Sequence, residues 1–133
     1  MNAAEKAHSI EVASKIASTI TLFKRYFPDA KADLRPWASD RDTLQLVDPD
    51  SIDLSFNFPG VNRSIPSRCV LVQIRFSDRV MIGIETAGFG YQGKQWTLST
   101  VAGWEITGVL LPPTEFATNL KQFCRDLFAL YSC

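Results

Sequence analysis

The chain has 133 residues, a formal net charge of zero from 14 basic and 14 acidic side chains, 46% hydrophobic residues and 21% charged ones. That length predicts one domain spanning residues 1–133, able to hide roughly two-thirds of its unfolded surface and to fold without metal or disulfide staples. The hydrophobic share excludes disorder, no apolar run approaches the roughly 20 residues of a membrane span, and zero net charge removes a global pull toward nucleic acid or anionic lipid.

From Ala3 to Phe27 the apolar residues Ile10, Ala13, Ile16, Ala17, Ile20, Phe23 and Phe27 recur every three or four positions, which predicts an amphipathic helix ending before Pro28. Asp29 to Asp42 shows no period and reads as a connecting loop. Leu44–Val47 is predicted as a strand, with Asp48–Ser51 as a turn into a second strand. In that second strand Ile52, Leu54, Phe56 and Phe58 form the apolar face, opposite the polar Asp53, Ser55 and Asn57. After a loop over 59–67, Val70, Val72, Ile74 and Phe76 alternate with Leu71, Gln73 and Arg75. Beyond Ser77-Asp78-Arg79, the residues Val80, Ile82 and Ile84 alternate with Met81, Gly83 and Glu85, completing a hairpin.

A glycine-rich loop, Gly88–Gly93, leads into a strand through Trp96, Leu98 and Thr100, and a short strand is predicted over Trp104–Thr107. Beyond Pro112-Pro113, Thr114 is predicted to cap a closing helix whose stripe is Phe116, Leu120, Phe123, Cys124, Leu127, Phe128 and Tyr131. Helices at the chain ends and strands joined by short connections give an α+β fold. It is an antiparallel meander of about five strands with the N-terminal and C-terminal helices packed on one face. The opposite face is predicted to carry Leu71, Gln73, Arg75, Met81, Gly83, Glu85, Gln95, Thr97 and Ser99.

Cys69, Cys124 and Cys133 are odd in number and widely spaced, which fits neither a disulfide framework nor a structural zinc site. The first residues lead into a polar-faced helix and not into a secretory signal, so the protein reads as cytoplasmic with reduced thiols. A prenylation signal would need cysteine four from the end, where Leu130 stands.

Gly88-Phe89-Gly90-Tyr91-Gln92-Gly93 matches G-x-G-x-x-G. A dinucleotide site, however, needs a helix straight after the loop, and Lys94 to Thr100 reads as strand, so the glycines are assigned to a hairpin connection. The one histidine, His8, has no adjacent nucleophile or acid to act on. Seven aspartates (Asp29, Asp33, Asp40, Asp42, Asp48, Asp50, Asp53) stand against Lys31, Arg35 and Arg41, a local balance of −4. Asp48, Asp50 and Asp53 could converge on a cation, but the ligand order of a calcium loop is missing, so no metal and no cofactor are expected. Between Gly60 and Val80 the balance is +3, with Arg63, Arg68, Arg75 and Arg79 against Asp78.

No stretch carries a recognisable family motif. The leading expectation is a non-catalytic protein-interaction or regulatory module. It would bind a protein partner, or a second copy as a homodimer, through the open sheet face and the 88–93 loop, with Phe89, Tyr91, Gln73, Arg75 and Glu85 as contacts. The alternative is single-stranded nucleic-acid binding through Arg63, Arg68, Arg75 and Arg79 beside exposed aromatic rings. A third is a small enzyme with a helix–sheet pocket drawing on His8, Asp53 or Glu85.

Overall fold

A computed structural model describes residues 1–37, 47–59 and 67–132. The amino-terminal stripe is two helices, α1 (Ala3–Lys6) and α2 (Ile10–Tyr26), in place of the single helix predicted from Ala3 to Phe27. Ser9 makes the break. Its backbone is extended (φ −131°, ψ 156°) and its hydroxyl accepts the Val12 amide at 3.2 Å, capping α2.

The sheet is one antiparallel meander in sequence order. Its strands are β1 (Lys31–Asp33), β2 (Ile52–Asn57), β3 (Cys69–Ser77), β4 (Val80–Gly90), β5 (Gly93–Ser99) and β6 (Ile106–Gly108). Among the described residues the sheet has six strands, in keeping with the expected meander of about five, and β1 lies in the stretch read as a loop. It pairs with β2 through Lys31↔Asn57, Ala32↔Phe56 and Asp33↔Ser55. Val47 is in no strand, while Leu44–Leu46 of the predicted strand and the 60–66 part of the loop lie outside the described residues. The Gly88–Gly93 segment is mostly strand around a tight turn at Tyr91-Gln92, where Gly93 supplies φ +105°. Helix α3 (Thr114–Tyr131) starts at Thr114, so Pro113 holds the cap position and Thr114 does not cap.

Helices α2 and α3 lie on the face formed by Leu54, Phe56, Val70, Val72, Ile74, Ile84, Trp96 and Leu98. Rings join the layers. Phe23 of α2 stacks on Phe56 of β2 at 3.8 Å and meets Phe123 of α3 edge-on at 5.0 Å.

Two predicted faces need correction. The polar side of β2 is not solvated: Asp53 and Ser55 are buried like their apolar neighbours. In the β3–β4 hairpin, Asp78 and Arg79 both take positive φ (49° and 68°) in a two-residue turn, and a bulge shifts the register between Arg75 and Phe76. The shift pairs Phe76 with Met81 on the helix side, leaving Ile82 52% exposed. Met81 therefore belongs to the core and not to the second face, and Ile82 does the reverse.

Candidate functional site

On the face away from the helices, the register aligns Asp53, Gln73, Glu85 and Ser99 in one row and Ser55, Leu71, Ala87 and Thr97 in the next. Most of these side chains are half-buried. Arg75 crosses the rows, placing one guanidinium nitrogen 2.9 Å from Glu85 Oε2 and the other 3.3 Å from Asp48 Oδ2. The hydrogen bond to Glu85 holds Arg75 even more firmly protonated than usual. Ser99 Oγ donates to the other Glu85 oxygen at 3.4 Å. The charges of Arg75 and Glu85 are thus already matched within the chain. The face is a mixed surface, with a charge-paired arginine in one part and Leu71 and Ala87 in another.

Asp53 anchors the border of that face. Its carboxylate accepts Trp37 Nε1–H at 2.6 Å, Ser51 Oγ–H at 2.7 Å and the Met1 amino group at 2.8 Å. Trp37 is pinned in turn by Asn2, whose Oδ1 accepts its amide at 2.9 Å and whose Nδ2 donates to its carbonyl at 3.1 Å. Sequence reasoning left Trp37 without a role. A tryptophan in a charged stretch must find cover for its ring and an acceptor for its N–H, and buried Asp53 is that acceptor.

The β4–β5 tip is different in character. Tyr91 is 84% exposed, and the Arg68 guanidinium sits 4.0 Å from its ring centroid. The Arg68 amide donates to the Phe89 carbonyl at 2.8 Å, which fixes the main chain from which the side chain reaches the ring. Phe89 itself is half-buried. Behind the tip, Ser67 Oγ donates to Gln95 Oε1 at 2.7 Å and accepts from buried Trp96 Nε1 at 2.9 Å, tying the start of β3 to β5.

The structure does not gather the three described arginines of that set, Arg68, Arg75 and Arg79. Arg63 lies outside the described residues, Arg75 is paired, and Arg68 and Arg79 stand at opposite ends of β3. A strand of that length separates them by roughly 30 Å. Nor do His8, Asp53 and Glu85 converge. His8 is exposed beside an open groove of about 770 Å³ that Lys6, Glu11, Lys15, Arg79 and Tyr131 also line, and neither carboxylate reaches it. Asp48 and Asp53 point at different partners, and among the described residues no group of three or more His, Cys, Asp and Glu side chains could hold a metal ion. No helix of the described residues is long and apolar enough to cross a membrane.

These observations define an α+β protein with two long helices on one face of a six-stranded antiparallel meander, and an arginine–tyrosine stack at the sheet tip. Residues 4–133 match the model of a family described as a domain of unknown function, and the chain belongs to that family. No curated protein and no solved structure matches it.

Proposed function

We propose that the protein is a non-catalytic, cytoplasmic interaction or regulatory module. It binds a protein partner, or a second copy of itself, through the β4–β5 tip and the adjoining second sheet face. The observation that carries this reading is the Arg68–Tyr91 stack: a large ring 84% exposed with a guanidinium laid on it. Tyrosine and arginine are among the residue types that dominate interface hot spots, and here each already contacts the other while a backbone hydrogen bond fixes the main chain that carries Arg68. Phe89, Gln73 and the neutralised Arg75–Glu85 pair supply the surrounding contact area. The cytoplasmic assignment rests on the unpaired thiols of Cys69 and Cys124.

A photo-reactive phenylalanine placed at Tyr91 in cells tests the reading, with the same group at exposed Thr21 on α2 as control. A discrete adduct from position 91 that is absent from position 21 and weakened by Arg68→Ala is expected. Indistinguishable adduct patterns at the two positions would remove the tip as an interface.

The same stack also supports a second reading, single-stranded nucleic-acid binding, since bases stack on such platforms. A labelled oligonucleotide titrated at low and moderate salt decides it. Phosphate contacts give affinity that falls steeply with salt, and no binding at low salt ends that reading.

A further inference from the structure

Among the described residues β6 is the last strand in the sheet and pairs only with β5. The Val109 amide donates to the Gln95 carbonyl at 2.8 Å, so Val109 and Gln95 form a hydrogen-bonded pair. Such pairs alternate along an antiparallel ladder. Thr107 therefore turns its N–H and C=O toward β5, while those of Ile106 and Gly108 point outward from the sheet. The opposite edge is guarded: β1 carries Lys31 and Asp33 and is flanked by Pro28 and Pro36, devices that discourage strand addition. Among the described residues, Ile106–Gly108 itself carries no charge and no proline, Glu105 and Pro112 standing outside it, and the edge continues into Val109 and Leu111, which are 90% and 54% exposed.

Beside this edge, on the helix side of the sheet, lies a groove of about 380 Å³. Its walls include Ile106, Leu111, Pro112, Ala117, Thr118 and Lys121. We propose that the free edge of β6 takes up an extended segment of a partner protein as a seventh strand, with a large apolar side chain of that segment seated in the groove next to Ile106. Main-chain hydrogen bonds to Ile106 and Gly108 supply affinity and the groove supplies selectivity, as in other strand-addition complexes. A second copy of the chain fits less well. The two-fold register that bonds both outward residues of β6 to their counterparts within the strand sets Thr107 opposite its mate and Ile106 opposite the mate's glycine at 108. The groove touches Ile106 and not Gly108, so self-pairing would leave it unfilled. Tyr91 is not among the groove walls, and this surface stands or falls apart from the tip.

Random heptapeptides displayed on phage and panned against the full chain test the proposal. The counter-selection uses Thr118→Trp, which fills the groove from a solvent-exposed position on α3. The expected winners alternate along their length and share a large apolar residue at one position. A synthetic winner binds the wild-type chain and the Tyr91→Ala variant alike, and binds Thr118→Trp at least about tenfold more weakly. N-methylation of the peptide nitrogens that face β6 also abolishes binding, a readout independent of how the variant folds. The proposal is overturned by absence of enrichment, by equal binding to Thr118→Trp, by indifference to N-methylation, or by a dimer in sedimentation that Val109→Lys dissociates. Binding lost in Tyr91→Ala but kept in Thr118→Trp would move the peptide site to the tip and overturn it too.

Discussion

The Trp96 indole lies directly on Gly88, its cross-strand partner. A Cβ at position 88 would meet Cε2, Nε1 and Cζ2 of the ring, the last at only 2.6 Å. Trp96 cannot swing away, because it is fully buried, its Nε1 is held by Ser67, and Phe116 meets its ring at 6.0 Å. Gly88→Ala is therefore expected to destabilise the protein by about 1–3 kcal/mol, the ordinary cost of overpacking a core. Urea unfolding measures it. A variant of unchanged stability would mean that the β4–β5 pair can open around the ring without loss.

Thr86 presents the opposite error of packing. It sits on the helix side of β4 between Val72 and Leu98, it is buried, and its hydroxyl has no hydrogen-bond partner among the described residues. A buried, unpaired hydroxyl is destabilising relative to a methyl group of the same shape. Thr86→Val should raise stability by about 1 kcal/mol, seen as a higher urea midpoint with an unchanged slope. Loss of stability would reveal a partner for the hydroxyl.

The hairpin from Val70 to Ile84 was readable because its alternation is strong and its turn is short. The bulge inside it was not, because Val80, Ile82 and Ile84 alternate just as well as if the ladder were regular, and only the pairing of Phe76 with Met81 reverses the face. β1 is not legible in the sequence because Lys-Ala-Asp has no apolar alternation; it becomes a strand by pairing with buried β2. The site fared similarly. Phe89 and Tyr91 were visible as aromatics in a glycine-rich turn, but the arginine on Tyr91 comes from the start of another strand. No pattern local to the sequence could single out Arg68 from Arg63, Arg75 and Arg79.

Thiol chemistry should follow burial. Burial pushes the Cys124 thiol up to about 12 and raises that of Cys69 as well, against a hydrogen bond with Ser55 that lowers it. The thiolate is the nucleophile, so Cys124 should resist a maleimide at pH 8 in the native chain and react only on unfolding, as peptide mass mapping would record. The same displacement has a stability consequence. Between its ordinary value near 9 and about 12 the folded thiol holds its proton while the unfolded one releases it. Its contribution is complete below about pH 9 and is lost as pH climbs toward 12. Tyr131, raised chiefly by burial, and Tyr26, raised chiefly by its hydrogen bond to Asp126, act in the same direction from 10 upward. The urea midpoint should fall through this alkaline range, less steeply in Cys124→Ala. Prompt native labelling of Cys124 would refute the assignment.

Asp53 and Trp37 are coupled across the chain. The carboxylate is wholly buried and the indole nitrogen donates to it at 2.6 Å, while Ser51 and the Met1 amino group occupy its other acceptor positions. Trp37→Phe keeps most of the ring and removes only the donor. A lost hydrogen bond to a buried charge costs roughly 1.5–3 kcal/mol. Asp53→Asn alone should cost a comparable amount, since the remaining donors then face a neutral amide, one end of which is itself a donor. Because each single change already breaks the shared contact, the double variant should be destabilised by less than the two losses added, by about 1 kcal/mol or more. Strict additivity in that cycle would mean that the Trp37–Asp53 bond makes no net contribution and that the Asn2 hydrogen bonds and ring packing hold Trp37 at the edge of the sheet.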